Sequence, residues 1–91
     1  MPIDSAHVRI RSFILNQFPL ARKRAIGDGD PLLGSGILDS LGILEVVAFV
    51  EREFEITVAD EDLLPESFES IASIARFVED KRDRGAQAES R

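Results

Sequence analysis

Apolar residues recur every three or four positions in three separate segments of this chain, which is the spacing of an α-helix with one face against a core. The first helix is predicted to start at a cap, Asp4 or Ser5, and to end before Pro19, because proline cannot continue the backbone hydrogen bonds. The second is predicted over residues 40–53, and the last is predicted to begin near Ser70, with Ser67 or Ser70 as its cap. The apolar positions are, in order, Ile3, Ala6, Val8, Ile10, Phe13, Ile14, Leu15 and Phe18; Ile43, Val46, Val47, Val50 and Phe54; and Ile71, Ile74, Ala75, Phe77 and Val78.

Two stretches between these helices lack the helical period. Residues 19–39 contain four glycines, and a connection this long in a small domain is uncommon and usually functional. Residues 60–64 are predicted to form one short acidic helix that Pro65 ends. The sequence therefore predicts an all-α fold, a small antiparallel bundle of three longer helices plus one short helix, with a long loop between helices one and two. The apolar residues predicted to pin this loop to the core are Leu32, Leu33, Ile37 and Leu38.

The chain has 91 residues, 44% of them hydrophobic, which is enough for one modest core and too few for two. We assign residues 1–82 to a single domain and predict that residues 83–91, which are charged and poor in apolar side chains, form a flexible C-terminal tail. No apolar run approaches the roughly 20 residues of a membrane span, and no signal-peptide pattern opens the chain. The protein is thus predicted to be cytoplasmic, without membrane insertion.

Charge is unevenly distributed along the chain, whose formal net charge is −6. Residues 1–24 carry a net charge of +4, residues 25–80 carry −12, and residues 81–91 carry +2. The acidic balance argues against nucleic-acid binding, which requires a basic face. The acidic middle suits a partner with a positively charged surface, and a face that only promotes solubility is an equally good interpretation.

A second apolar set, Leu41, Leu44 and Ala48, lies on a different side of the second helix from its core residues. One apolar stripe is enough for a bundle, so the second set is either an exposed docking surface or a cover for the long loop. The sequence supports these two interpretations equally.

The chain offers little for conventional catalysis. It has no cysteine, which excludes disulfides, thiolate metal sites and a catalytic thiol, so any thiol chemistry needs a sulfur from outside the sequence. The one histidine, His7, is far in sequence from Ser40, and a hydrolase built on this pair is the weakest of our hypotheses. A calcium loop starting at Asp28 lacks the required ligands and glycine. We predict no catalytic residue and no metal site.

Residues 36–45, Gly-Ile-Leu-Asp-Ser-Leu-Gly-Ile-Leu-Glu, place Ser40 at the first turn of the second helix. An isolated Asp39–Ser40 pair at this position is most simply a helix cap. Here, however, a long glycine-bearing loop delivers the serine to a helix N-terminus, which favours an anion such as a phosphodiester on the serine oxygen. Leu41 and Leu44 lie just beside it, as docking of a modifying enzyme requires.

In this order and spacing the chain resembles the acyl carrier protein family. The resemblance covers residues 31 to about 80 and rests on Asp39-Ser40-Leu41, Glu45, the helix end Glu-Arg-Glu-Phe at 51–54, the acidic short helix and the closing helix. It implies that a phosphopantetheinyl transferase attaches a covalent 4′-phosphopantetheine arm from coenzyme A to Ser40, and that Asp39 assists this transfer through a magnesium ion. The thiol of the arm supplies the sulfur that the composition lacks.

The resemblance implies a carrier and not an enzyme. Acyl or aminoacyl intermediates would ride on the arm as thioesters, between a loading acyl or aminoacyl ligase and downstream acyl-processing enzymes, in fatty-acid-like or specialised biosynthesis. The carrier is expected to be a monomer that binds no nucleic acid. By resemblance, its partner-binding residues are Leu41, Leu44, Glu45, Ala48 and Glu51.

Two residues depart from the carriers of fatty-acid synthesis. Gly42 stands where an acid is common, and Arg52 interrupts what is often an acidic run. The run Gly-Ile-Leu-Asp-Ser-Leu-Gly looks closer to free-standing D-alanyl or aminoacyl carriers, and to specialised type II carriers, than to the carrier of bulk fatty-acid synthesis. Gly42 either serves close partner approach or is drift. The alternative function is an unmodified interaction module that retains the carrier fold and its acidic docking face.

Overall fold

A computed structural model describes the backbone of residues 6–89 and the side chains of residues 6–83. Four α-helices form within this part of the chain: α1 (Ala6–Gln17), α2 (Pro19–Lys23), α3 (Ser40–Phe54) and α4 (Ile71–Glu89). Two 3₁₀ turns, Asp60–Asp62 and Pro65–Phe68, lie between α3 and α4. No residue in the described range is in a β-strand, so the predicted all-α bundle of three longer helices and one short helix is confirmed.

The core is made of the faces that the apolar spacing predicted. Ile10 and Ile14 of α1, Val46 and Val50 of α3, and Ile74 of α4 are completely buried. Ile43 and Val47 are only partly buried and pack against the edge of this core. The predicted caps of α1, Asp4 and Ser5, lie outside the described residues. The remaining buried apolar residues are Ala6, Ala21, Ile26, Leu32, Ile37, Leu38, Phe54, Phe68, Ile71, Ala75 and Val78.

Two polar contacts show that α1 runs antiparallel to α3. Gln17, at the end of α1, donates from Nε2 to Oε1 of Glu45, early in α3, at 3.2 Å. Arg9, early in α1, has its Nη2 atom 2.8 Å from Oε2 of Glu53, near the end of α3. Between these contacts the rings of Phe13 and Phe49 stack with their centroids 4.1 Å apart.

The ring of Phe54 marks the end of the bundle opposite Ser40. The guanidinium carbon of Arg9 lies 5.3 Å from the ring centroid, and that of Arg82, in α4, lies 5.8 Å from it. The ring is itself buried, so the two arginines close over it. This cluster joins the start of α1, the end of α3 and the later part of α4.

The short helix is not where the sequence placed it. Pro19 does not open a loop but starts α2, because proline has a fixed φ and a missing N–H, both of which suit a first helical position. The predicted acidic helix at 60–64 is instead a 3₁₀ turn, Asp60–Asp62. Asp62 holds this turn to α4, since its Oδ2 accepts from the Ala59 amide at 3.0 Å and lies 2.7 Å from Nζ of Lys81.

The connection between α2 and α3, residues 24–39, is anchored to both α1 and the start of α4. The Oδ1 atom of Asp28 accepts a hydrogen bond from Arg11 at 2.9 Å, and the backbone oxygen of Asp28 accepts from the Ala72 amide at 2.9 Å. The Leu32 amide donates to the backbone oxygen of Glu69 at 2.7 Å. As predicted, the loop's apolar residues Leu32, Ile37 and Leu38 are buried, and Leu33 is partly buried.

α4 begins at a serine cap and continues to Glu89. Ser70 Oγ accepts from the Ser73 amide at 3.1 Å, which identifies Ser70 as the cap. The helical backbone continues through residue 83 without a break, so α4 does not end at the predicted boundary between domain and tail. The flexibility of residues 83–91 stays a prediction. In the described part of the chain no helix has the length and apolarity that crossing a bilayer requires.

The burial of Ile74 leads to a stability prediction with an internal control. Ile74 is 0% exposed, whereas Leu44 is 56% exposed. Ile74→Ala should lower the free energy of unfolding by about 2–5 kcal/mol, because it leaves a cavity in the core. Leu44→Ala removes as many carbon atoms from the surface and should change it by less than about 0.5 kcal/mol. Urea denaturation of both variants measures the difference, and equal losses would contradict the assigned core.

Candidate functional site

Ser40 is the first residue of α3, and its hydroxyl faces solvent. Immediately before it, Ile37 and Leu38 are buried, so the chain leaves the core and turns outward at Asp39 and Ser40. No described residue hydrogen-bonds to the Ser40 side chain. The hydroxyl is therefore open to a reagent that approaches the start of the helix.

Asp39, and not Ser40, caps α3. Asp39 has the extended backbone of an N-cap residue, with φ −115° and ψ −168°. Its Oδ1 accepts from the Gly42 amide at 2.7 Å, which satisfies one of the N–H groups that a helix start leaves unpaired. Because the aspartate does this work, the serine hydroxyl is not needed for the helix. The capping alternative thus holds for Asp39 and leaves Ser40 available for chemistry.

Leu41, Leu44 and Ala48 are exposed and follow one another along one line of α3. Leu41 is 70% exposed and Leu44 is 56% exposed, and their spacing with Ala48 places all three on the same side of the helix. They do not cover the long loop, so this alternative is wrong. We call the exposed line of α3 formed by Leu41, Leu44, Glu45, Ala48 and Arg52 the α3 ridge.

The two acids expected at the docking surface have different surroundings. Glu45 is exposed on the α3 ridge and accepts the hydrogen bond from Gln17. Glu51 is only partly exposed, and its Oε2 accepts from the backbone amide of Val58 at 2.8 Å. Its carboxylate thus holds the segment that leaves α3. The structure brings Glu45 together with Leu41, Leu44 and Ala48, and directs Glu51 elsewhere.

Arg52 is a ridge residue that the sequence did not place in the site. It is exposed and lies one helical turn beyond Ala48. The signal was present in the sequence, since positions 41, 45, 48 and 52 share one side of a helix. The resemblance to an acidic docking face instead favoured the neighbouring acid, Glu51.

Gly42 is buried in this structure, and the reason is close packing. A Cβ atom at this position would lie 3.0 Å from Cδ2 of Leu38, 3.2 Å from Cε1 of Phe18 and 3.3 Å from Oδ1 of Asp39. The glycine therefore lets the corner between α1 and α2 approach the first turn of α3. Its neighbours are side chains of the protein itself, so packing within the molecule explains the glycine and no partner protein is needed to explain it.

His7 lies near the start of α1, far from the Ser40 hydroxyl, and is close to another residue. Its Nε2 atom lies 2.7 Å from Oδ2 of Asp28, without the geometry of a hydrogen bond. No described contact joins His7 to Ser40, and the base that a serine hydrolase requires is not supplied. Among the described residues no group of three or more histidine and acidic side chains is arranged to hold a metal ion.

Comparison with known proteins gives one family. The family model described as "Phosphopantetheine attachment site" matches residues 10–78, well over half of the chain and including Ser40 with the whole of α3. No curated protein matches the chain significantly.

The packing around Gly42 leads to a second prediction. Gly42→Ala gains about 1 kcal/mol of helix propensity and loses a similar amount to contacts near 3 Å, so the free energy of unfolding should change by less than about 1 kcal/mol. Gly42→Val is too large for the gap and should be destabilising by about 1–3 kcal/mol.

The matched control is Gly29, where nothing lies within 4 Å of an added Cβ atom. Gly29→Val should change the free energy of unfolding by less than about 0.5 kcal/mol. Thermal and urea unfolding measure all three variants. A Gly42→Val protein as stable as Gly29→Val would contradict the close packing at α3.

Proposed function

Because the chain belongs to the phosphopantetheine-attachment family, we propose that Ser40 is the residue to which its arm is joined. Membership of the family makes the chain a non-catalytic carrier domain with a covalent 4′-phosphopantetheine arm. It also implies a phosphopantetheinyl transferase and enzymes that load and process the arm as partners. The group supplies a thiol, the reactive sulfur that this cysteine-free sequence lacks.

The observation that carries the assignment to Ser40 is its exposed hydroxyl at the start of a helix. Of the other described serines, Ser35, Ser70 and Ser73 have side-chain hydrogen bonds, and Ser67 is only partly exposed. Ser35 Oγ donates to the backbone oxygen of Pro31 at 2.7 Å. Ser70 and Ser73 share a side-chain hydrogen bond at 3.1 Å, and Ser70 is buried. Ser12 is exposed, but it lies in the middle of α1 and not at a helix N-terminus, where free N–H groups would favour an anion.

The attachment step uses the Ser40 oxygen as a nucleophile. A bond forms between Oγ and the phosphorus that bears pantetheine, the phosphoanhydride bond of coenzyme A breaks, and 3′,5′-ADP leaves. The hydroxyl proton passes to a base, which the transferase must supply, because no described side chain hydrogen-bonds to Ser40. The N–H groups and dipole at the start of α3 favour the negative phosphodiester that remains.

Asp39 has two roles in this proposal. Its Oδ1 caps the helix, and Oδ2 has no hydrogen-bond partner among the described residues. A carboxylate oxygen in this position suits a magnesium ion bound with the transferase. Asp39 thus both places Ser40 and offers a ligand for its modification.

The docking surface of the proposed carrier is the α3 ridge. Leu41, Leu44 and Ala48 provide the apolar contact, and Glu45 meets a basic group beside it. Such a small, charged contact suits brief encounters with several enzymes in turn. The arm raises the effective concentration of its cargo at each partner's active site. Glu51 was expected in the same surface, and its bond to Val58 supports a structural contribution.

The finer assignment is to a free-standing, monomeric, cytoplasmic type II carrier. Its loading partner is an acyl or aminoacyl ligase, and its downstream partners are acyl-processing enzymes. The run Gly-Ile-Leu-Asp-Ser-Leu-Gly at 36–42 supports a carrier of the D-alanyl or aminoacyl kind or a specialised acyl carrier, rather than the carrier of bulk fatty-acid synthesis.

The assignment of Ser40 is tested by intact-mass spectrometry after incubation with coenzyme A and a broad-specificity phosphopantetheinyl transferase. The wild-type chain should gain the mass of one 4′-phosphopantetheine, and Ser40→Ala should gain none. Ser12→Ala, the control at another exposed serine, should be modified like wild type. A folded wild-type chain that gains no mass would favour the alternative of an unmodified interaction module.

The two roles of Asp39 are separated by comparing Asp39→Asn with Asp39→Ala. The amide oxygen of asparagine still caps a helix, so Asp39→Asn should stay within about 0.5 kcal/mol of wild type, whereas Asp39→Ala should lose about 0.5–2 kcal/mol. Both variants lack the carboxylate and should be modified at least tenfold more slowly. Thermal unfolding and the rate of mass gain measure the two effects. Wild-type modification of Asp39→Asn would limit Asp39 to capping.

A further inference from the structure

The acids of α3 are all occupied within the molecule. Glu45 accepts a hydrogen bond from Gln17, Glu51 accepts one from the Val58 amide, and Glu53 pairs with Arg9 at 2.8 Å. These contacts help to hold α1, α3 and the following segment together, and of the three acids only Glu45 remains exposed to a partner.

Arg52, the one basic residue of α3, has no such partner. It is exposed and has no ion pair or hydrogen bond with any described residue, although acids stand on both sides of it in the sequence. The α3 ridge consequently carries one negative and one positive side chain, Glu45 and Arg52, with Ala48 between them and with Leu41 and Leu44 on the side nearer Ser40. This ridge has no formal net charge, in contrast to the net −12 of residues 25–80.

We propose that the enzyme that loads the arm presents a carboxylate to Arg52. This inference rests on the proposed function and names the chemistry of one partner. The loading enzyme has an apolar patch for Leu41, Leu44 and Ala48, a basic group near Glu45 and an acidic group beyond it. Charges of opposite sign about two helical turns apart define the orientation of the helix, which an all-acidic ridge would define less well.

The position of Arg52 along the helix favours the loading enzyme over the transferase. Twelve residues separate Arg52 from Ser40, which corresponds to about 18 Å along the helix axis. The transferase must bring the serine hydroxyl itself to its active site, so its essential contacts gather around the first turn of α3. An enzyme that acts on the far end of the arm does not need Ser40 in its active site. Such an enzyme can therefore contact the helix along its whole length.

The inference is tested in the cells that naturally produce the protein, so that the native enzymes serve as partners. The chromosomal gene is replaced by one encoding Arg52→Glu, Arg52→Lys or Arg76→Glu. Arg76 is an exposed arginine of α4, outside the α3 ridge, and Arg76→Glu makes the same change of charge. The carrier is purified, and intact-mass spectrometry gives two fractions: chains that bear the arm, and arm-bearing chains that also bear an acyl or aminoacyl load.

Arg52→Glu should acquire the arm as wild type does and show a loaded fraction at least tenfold lower. Arg52→Lys keeps the charge, and Arg76→Glu leaves the ridge intact, so both should be loaded within twofold of wild type. A wild-type loaded fraction in Arg52→Glu, or an equal loss in Arg76→Glu, would overturn the inference. Failure of Arg52→Glu to gain the arm would place the contact on the transferase and overturn the assignment to the loading enzyme. A wild-type chain recovered without any arm would refute the proposed function itself.

Discussion

The hydrogen bond from the Gly42 amide to the Asp39 carboxylate determines how the rest of the site is arranged. At 2.7 Å it starts α3 one residue after the aspartate, and Ser40 becomes the first helical residue. The polar group that a helix start requires is therefore supplied by Asp39. The neighbouring hydroxyl has no structural duty, and a nucleophile can stand there without a cost in stability. Gly42 contributes to the same arrangement, because any Cβ atom there would crowd the capping oxygen and the ring of Phe18.

The position of this cap depends on contacts that are distant in sequence. Ile37 and Leu38 are buried, and the loop behind them is joined to the start of α4 through Leu32 and Asp28. Arg11 holds the Asp28 side chain from the α1 side. Contacts with α1 and with α4 thus hold the loop on two sides. The loop then leaves the core and leads directly to Ser40.

Much of the fold could be predicted from the sequence, because the helices bury the faces that their apolar spacing defines. Ile74 and Val50 are examples, and both are completely buried. The start of α3 was also predictable, whereas the sequence left the exposure of Leu41 and Leu44 undecided, because the second apolar stripe could equally have covered the long loop. The sequence did not predict α2, because Pro19 suits the end of one helix and the first turn of another equally well. Only packing against the core distinguishes these two cases.

The charges of the site were harder to predict for a related reason. Glu51 and Arg52 are neighbours in sequence and differ by about 100° around a helix, so their roles depend on what surrounds each side. The Val58 amide that binds Glu51 belongs to an irregular segment whose path no periodicity describes. Gly42 likewise has its explanation in Phe18, a residue in another part of the chain. Spacing predicts which side chains share a face, and the tertiary contacts decide what each does there.

The anchoring of the loop to α4 has a consequence for a chain that is still being synthesised. The amide of Leu32 and the backbone oxygen of Asp28 find their partners at residues 69 and 72, about forty positions later. Contacts this distant form only after the intervening chain has closed on itself. A nascent polypeptide whose translation has reached α3 but not α4 therefore displays the serine without the frame that holds it. The surroundings of Ser40 are therefore complete only after residues 69 and 72 have been added to the chain.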